Sequence, residues 1–161
     1  TIVRPFNTYG PRQSARAIIP TLISQLSAGK VQVDIGDITP PRDFTFVTDT
    51  ANAIIRASNE KKAIGEIINI GSGTEIRIQD IAQKIAKIAG KKIKIKIDES
   101  RLRPYDVSRL VCNNTKAQKL LKWKPHISID VGLKITYDWA KKNKVMFSAP
   151  FKRWYYKNTD E

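Results

Sequence analysis

An α/β fold is predicted by three observations. Strand-like and helix-like stretches alternate along the chain. Each long helix-like stretch gathers its apolar residues on one stripe, while one strand-like stretch alternates strictly between lysine and isoleucine. No linker rich in Pro, Gly or Ser divides the chain, and no internal repeat or low-complexity segment appears.

The elements follow in order. TIVRP (Thr1–Pro5) reads as a short buried strand ended by proline. In ARAIIPTLISQLSAG (Ala15–Gly29), Ile18, Ile19, Leu22, Ile23 and Leu26 share one helical face. Ser14 is the expected cap, Pro20 is tolerable only near the first turn, and Gly29 ends the helix. VQVDIG (Val31–Gly36) alternates like a strand, as does RDFTFV (Arg42–Val47), which puts Phe44 and Phe46 on one face. Thr48–Asn59 reads as a short helix with Thr48 as its cap, and Gly65–Gly73 as a strand running into a glycine turn. Gln79–Gly90 is the clearest helix, with a stripe of Ile81, Ala82, Ile85, Ile88 and Ala89. Lys92–Asp98 reads as a half-buried strand, with Ile93, Ile95 and Ile97 in and Lys92, Lys94 and Lys96 out. Asn114–Trp123 is a short helix closed by Pro125, and Ser128 caps a last helix reaching Lys144. The tail from Ala149 has aromatics but no period and is expected to be irregular.

At 161 residues the chain amounts to one domain, and a chain of this length buries roughly 70% of the surface it exposes when unfolded. No run approaches the ~18 apolar residues of a membrane-spanning helix, and Arg4 and Pro5 interrupt any leader-like start. The single cysteine, Cys112, excludes an intramolecular disulfide and fits a reducing compartment, so a cytoplasmic protein is expected. The 29 Lys+Arg against 15 Asp+Glu give a net charge of +14. That charge suits nucleic acid, an acidic membrane surface or a small anionic substrate. The plainer reading is a set of solvated lysines, at Lys91–Lys96 and Lys141–Lys144 above all.

Several chemistries are not offered by these residues. GSG at Gly71–Gly73 is too little for a dinucleotide-binding fingerprint, and no Cys/His cluster has metal-ligand spacing. His126 has no partner in sequence that would make it a general base, and Cys112, in an apolar run, reads as a buried inert thiol. Three segments do offer chemistry. RPFNTYGPRQ puts Asn, Tyr and Arg on a Pro/Gly-stiffened loop past a strand, where α/β proteins bind ligands; its plain alternative is a tight turn in which Asn7 satisfies backbone groups. Arg42, after two prolines, suits bidentate phosphate recognition, or else a surface ion pair with Asp43 or Asp49. RLRPYDV (Arg101–Val107) pairs cations for phosphate with a carboxylate for a ribose hydroxyl, or is simply a charged loop.

In their order and spacing, RPFNTYGPRQ, RDFTFVTDTANAI, GEIINIGSG, RPYDV…NNTKAQKLLKWKP and SIDVGLKITYDW resemble the C-terminal part of the NAD-dependent epimerase/dehydratase family, the extended short-chain dehydrogenase/reductases that act on nucleotide sugars. The resemblance covers about Thr1 to Trp139, and the wording NTYGPRQSARAIIP with RDFTFV is nearest to 4,6-dehydratases, with 4-epimerases as the alternative. It implies the last parallel strands of a Rossmann-type sheet plus a small α/β substrate-binding lobe, over residues 1–145, with residues 146–161 an irregular tail. It implies NAD as cofactor, a nucleoside-diphosphate sugar as substrate, and a homodimer formed through helices preceding Thr1. In such dehydratases hydride passes from sugar C4 to NAD, water leaves across C5–C6, and the hydride returns at C6. The family's GxxGxxG loop and YxxxK pair are absent, so this chain is expected to be its substrate-binding half and inactive alone.

Carried over position by position, the resemblance implies that Asn7 contacts the substrate diphosphate and that Ala17 and Ile18 open the helix that closes over it. Val33, Asp34 and Ile35 correspond to the strand framing the base, and Asn69 to a strand-end substrate contact. Arg42 and Arg103 correspond to the two diphosphate arginines, and Asp106 to the ribose carboxylate. Pro5, Phe6 and Thr8 fall on the nicotinamide side. Tyr105–Asp106 stands where many related dehydratases read Ser-Glu, and Arg77 where a Ser or Thr cap is usual. Two other classes stay open at this point: a basic nucleic-acid-binding module, against which no nucleic-acid-binding motif appears, and a remnant that binds nothing. Without a Rossmann half, apolar edges at Ile2–Val3 and Ile67–Ile70 are expected to be exposed.

Overall fold

The computed structural model describes residues 1–102 and 107–143. In chain order the elements are β1 (Ile2–Pro5), β2 (Asn7–Tyr9), α1 (Ile18–Ser27), β3 (Gln32–Ile35), β4 (Pro41–Arg42), β5 (Phe44–Phe46), α2 (Val47–Asn59), β6 (Ile67–Ile70), β7 (Ile76–Arg77), α3 (Ile78–Ile88), β8 (Lys94–Ile97), α4 (Thr115–Leu121) and α5 (Ile129–Lys142). Three parallel ladders, β1–β6, β2–β5 and β3–β8, and one antiparallel ladder, β4–β7, join strands that lie far apart in sequence. Parallel pairing with helices between the strands is the α/β arrangement expected. The predicted tail lies outside the described residues.

Two buried clusters sit on this frame. In the first, Leu22, Ile23 and Leu26 of α1, Ile81 and Ile85 of α3 and Leu133 of α5 close over Tyr9, Val33, Ile35, Phe44 and Phe46. The stripes read from the sequence are the faces that meet here, and each fully buried Ile or Leu contributes about 1.5–3 kcal/mol. In the second, Ala53 and Ala57 of α2 and Ala117 and Leu121 of α4 pack with Ile68, Ile70 and Trp123. The Trp123 indole Nε1–H donates to the Asp49 carbonyl at 3.0 Å, which anchors the ring.

The structure corrects several local expectations. Asn7–Tyr9 is not loop but strand, paired parallel with β5. The Tyr9 ring drives this: it stands edge-on to Phe44 and Phe46, with centroids 6.1 and 5.5 Å away. The stretch Arg42–Val47 is split at Asp43, whose side chain turns inward between β4 and β5. Ser14 does not cap α1, which starts at Ile18 after Ala17 in extended backbone. Pro20 is then the third helical residue, where its missing N–H costs nothing because the first-turn donors have no intrahelical partner. Thr48 does not cap α2 either; the helix begins at Val47 straight from β5. Ser128 does cap α5, its hydroxyl accepting from the Val131 N–H at 3.4 Å. Arg77 is the residue before α3, and with no side-chain cap there its guanidinium instead pairs with Asp80 at 3.0 Å. On β8 the lysines are exposed as expected, but Ile97 is 49% exposed because the ladder ends there.

Candidate functional site

A cleft of about 610 Å³ opens between β2, the start of α1 and the ends of β3 and β4. Of the residues singled out in the sequence, Asn7, Thr8, Ala17, Ile18, Ile35 and Arg42 line it together. Strand pairing explains the convergence. β2 is held against β5, so Asn7 lies opposite Phe44, one residue past Asp43 and two past Arg42. The Asn7 Nδ2 donates to the Asp43 carbonyl at 2.8 Å, tying the two walls together. Thr8 Oγ1 lies 3.0 Å from Thr50 Oγ1 and 3.3 Å from the Phe6 carbonyl. Ala17 and Ile18 bring the N-terminus of α1 to the cleft, the positive end of the helix dipole; the Ala17 N–H donates to the Ser14 carbonyl at 3.0 Å, while the Ile18 N–H belongs to the first turn, which has no intrahelical acceptor.

Arg42 forms an ion pair with neither aspartate in the way expected, because both are occupied elsewhere. Asp43 is fully buried, and its carboxylate accepts four hydrogen bonds: from the Ser72 N–H and hydroxyl at 2.8 and 2.6 Å, the Gly73 N–H at 2.8 Å and the Cys112 N–H at 3.1 Å. Buried Asp49 accepts from the backbone N–H groups of His126 and Ile127 at 3.1 and 2.9 Å. Arg42 Nη1 donates to the Pro41 carbonyl at 3.0 Å, within a half-buried side chain that lines the cleft.

Arg101, one of the two cations read in RLRPYDV, lines the same cleft, and so do residues that the sequence did not single out, Gln13, Arg16 and Asp37, over apolar Phe44 and Ile78. Arg16, Arg42 and Arg101 give the cleft a positive balance against Asp37. Asp37 accepts from the Thr39 backbone N–H at 2.9 Å and hydroxyl at 2.7 Å, and these bonds hold its carboxyl below the usual carboxylate range. Arg101 is oriented by Asp98 at 2.9 Å. A run of cations and helix N–H groups beside a fixed carboxylate and an apolar floor can take an anionic, hydroxyl-bearing ligand with a flat group.

Other positions, where described, are not on this cleft. Val33 is fully buried in the core, and Asn69 sits inside β6 opposite Arg4. Asp34 turns away to Lys30 at 3.7 Å, while its backbone is gripped by the Gln25 amide at 2.8 and 3.0 Å. Pro5 and Phe6 immediately precede the lining residues, and the Phe6 N–H is fixed to the Ile70 carbonyl at 2.8 Å. Arg103 and Asp106 lie outside the described residues. His126 is exposed and holds Asp49 only through its backbone. Cys112 is buried as expected, and burial, with Asp43 nearby, pushes its thiol up to about 12. Among the described residues no His/Cys/Asp/Glu group could hold a metal, and no helix is long and apolar enough to cross a membrane.

Comparison with known proteins gives this geometry a context. Residues 1–136 match the family model described as GDP-mannose 4,6 dehydratase. The chain is 37% identical to UDP-glucuronate 4-epimerase of Thermodesulfobacterium geofontis, over 89% of its own length and 43% of that protein. It is 35% identical to UDP-N-acetyl-alpha-D-glucosaminuronate decarboxylase of Bacillus cytotoxicus, over 88% of its length and 46% of the relative's. Among solved structures, UDP-glucuronic acid 4-epimerase from Bacillus cereus, in complex with UDP-glucuronic acid and NAD, superposes with a TM-score of 0.82 at 34% identity, over 89% of this chain and 45% of that one. The dTDP-glucose 4,6-dehydratase of Bacillus anthracis, in complex with NAD, does so with 0.78 at 28% identity, over 89% and 45%. The chain thus spans about half the length of the relatives it matches, which include nucleotide-sugar epimerases, dehydratases and reductases. Its sequence and its parallel α/β fold agree on one assignment: the chain belongs to the NAD-dependent epimerase/dehydratase family, the extended short-chain dehydrogenase/reductases.

Proposed function

We propose that this chain is the substrate-binding portion of an NAD-dependent nucleotide-sugar 4,6-dehydratase. The observation that carries the reading is the convergence of Asn7, Arg42 and the N-terminus of α1 on one cleft. In this reading Arg42 neutralises the diphosphate with charge-assisted hydrogen bonds, and the N-terminus of α1, with the Ile18 N–H and the Ala17 backbone beside it, faces its oxygens. Asn7 has one N–H committed to the Asp43 carbonyl, and the second hydrogen of its amide nitrogen turns to the ligand. Ile35 and Phe44 supply apolar contact for the base, and Arg103 and Asp106 complete the set from the segment after Leu102. NAD, when bound, supplies reversible hydride storage. Thr8 offers a hydroxyl at its edge of the cleft, with the fixed strand end Pro5–Phe6 before it, and the residues present fit that group. A 4-epimerase of the same family is the second reading, favoured by the 37% identity to a UDP-glucuronate 4-epimerase.

Calorimetric titration with UDP, GDP, dTDP and their sugars tests the binding reading. The expected result is binding of at least one nucleotide pair, weakened about tenfold or more by Arg42→Ala, the size of one charge-assisted hydrogen bond. Absence of heat with every nucleotide, on folded protein, overturns it. Product analysis with NAD on the complete polypeptide to which the chain corresponds separates the two chemistries: a 4-keto-6-deoxy sugar for the dehydratase, inversion at C4 for the epimerase.

A further inference from the structure

The end of β3 brings a carboxylate and a guanidinium to one corner of the cleft. Gly36, the residue after β3, lines the cleft between Ile35 and Asp37. A Cβ there would lie 2.8 Å from the Arg101 carbonyl oxygen and 3.5 Å from the Arg101 Cβ, so only a glycine lets the Arg101 backbone close against the strand end. A second tie fixes the same approach. The Asp98 N–H donates to the Ile35 carbonyl at 2.8 Å, and the Asp98 carboxylate accepts from Arg101 Nε at 2.9 Å. Asp37 thus follows Gly36 in the chain, Arg101 touches it in space, and both line the cleft with side chains open to solvent, that of Arg101 by 47%.

Both groups have bonding capacity to spare. Asp37 Oδ1 takes the two Thr39 bonds, and Oδ2 accepts none from a described residue. The Thr39 bonds, with the Arg42 charge beyond them, keep the carboxyl ionised. Arg101 commits Nε to Asp98, and its four terminal N–H groups donate to no described residue. An ionised carboxylate repels a diphosphate, so it serves a part of the ligand that carries donors. Asp37 lies two residues from Ile35, the apolar contact proposed for the base. Bases differ in what they offer a carboxylate. Uracil and thymine present one N–H flanked by two carbonyl oxygens, which a carboxylate repels. Adenine and cytosine present an amino group beside a ring acceptor. Guanine presents two adjacent donors, N1–H and N2–H2, and next to them the acceptors O6 and N7. We infer that the cleft selects a guanosine-diphosphate sugar: Asp37 Oδ2 accepts from the N1–H and N2–H2 edge of guanine, and the terminal N–H groups of Arg101 donate to O6. This rests on the nucleotide-sugar reading of the cleft and names its base.

The test is calorimetric titration of wild type, Asp37→Asn and Arg101→Leu with GDP, IDP, UDP and dTDP. IDP keeps the O6 and N1–H of guanine and lacks the N2 amino group. Wild type should bind GDP about tenfold more tightly than IDP, the worth of one hydrogen bond to a charged group, and more tightly still than UDP or dTDP. In Asp37→Asn the amide oxygen stays on Thr39 and the amide nitrogen turns a donor to the base, so the GDP-to-IDP ratio should fall to about one. In Arg101→Leu, GDP and IDP should weaken together by about tenfold, with their ratio kept and UDP changed less. In wild type, UDP or dTDP binding as tightly as GDP, or GDP and IDP binding alike, overturns the inference and leaves the nucleotide-sugar reading standing. So does an equal loss for all four nucleotides in either variant, which assigns that residue to the ribose, the phosphates or the fold. Binding of no nucleotide by the folded wild type overturns the nucleotide-sugar reading and this inference with it.

Discussion

The two buried clusters differ in how they are finished. The first, around Tyr9, Phe46 and Leu133, is packed by α1, α3 and α5, and its Ile35, Phe44 and Ile78 also line the cleft. The second, around Ile68, Ile70 and Trp123, is packed by small residues of α2 and by α4. Beside it stand Ile2 at 55% exposure, Ile55 at 58% and Ile64 at 77%, with Ile54 and Ile67 also open. The exposed edge expected at Ile2 and Ile67 is therefore present, whereas Ile68 and Ile70 are fully buried. The cluster beside the cleft is thus the better covered of the two, and the one that carries the β1–β6 ladder leaves several isoleucines open.

The largest expected effect comes from the link between the two regions. Asp43→Ala strips the partner from three backbone N–H groups, at Ser72, Gly73 and Cys112. At the lower end of ~1–3 kcal/mol per orphaned donor, denaturant unfolding should show a loss of at least about 3 kcal/mol. A smaller loss would mean that the two regions do not depend on this carboxylate. Within the first cluster, Gly132→Ala drives a methyl into the Tyr9 hydroxyl and to 2.8 Å from the Phe46 ring. The same measurement should give about 1–3 kcal/mol, the usual cost of overpacking. At the seam, Cys112 should resist iodoacetamide at pH 8 until the protein is unfolded, because its thiol keeps its proton to about 12. The sign is fixed: the folded thiol holds a proton that the unfolded one loses near 9, so this contribution to stability is intact below that pH and is lost as pH rises towards 12. The smallest effect belongs to the open region. Ile55→Lys should change unfolding free energy by no more than about 0.5 kcal/mol while reducing self-association in sedimentation. A loss of several kcal/mol there would show that the face is covered after all.

What could be read in advance follows the same division. Periodic local features were legible: the α3 stripe, the lysine-isoleucine strand, the Ser128 cap and the strands at Ile2 and Ile67. Asn7 and Arg42 were legible through the resemblance, and the fold brings them to one cleft. What stayed hidden depends on contacts across the fold. Nothing near Asp43 announces that its carboxylate will hold backbone 29 and 69 residues away. The strand at Asn7–Tyr9 was read as loop because three residues give no period, and its pairing is decided by Phe44 and Phe46. Gln13 was invisible as a cleft residue because an arginine before it gives no hint of a left-handed turn. Val33 and Asp34 illustrate the reverse: a strand can border a site while its alternate side chains face the core or Lys30.

The Asp43–Cys112 bond also sets a clock. The Asp43 carboxylate cannot gain its full set of partners until a segment 69 residues further along has been made and has folded back. At about 5–20 residues per second of synthesis, that is a delay of roughly 3–14 s. A nascent chain stopped between Leu102 and Cys112 would carry every cleft residue from Asn7 to Leu102 and still lack the bond that closes on Asp43 behind them.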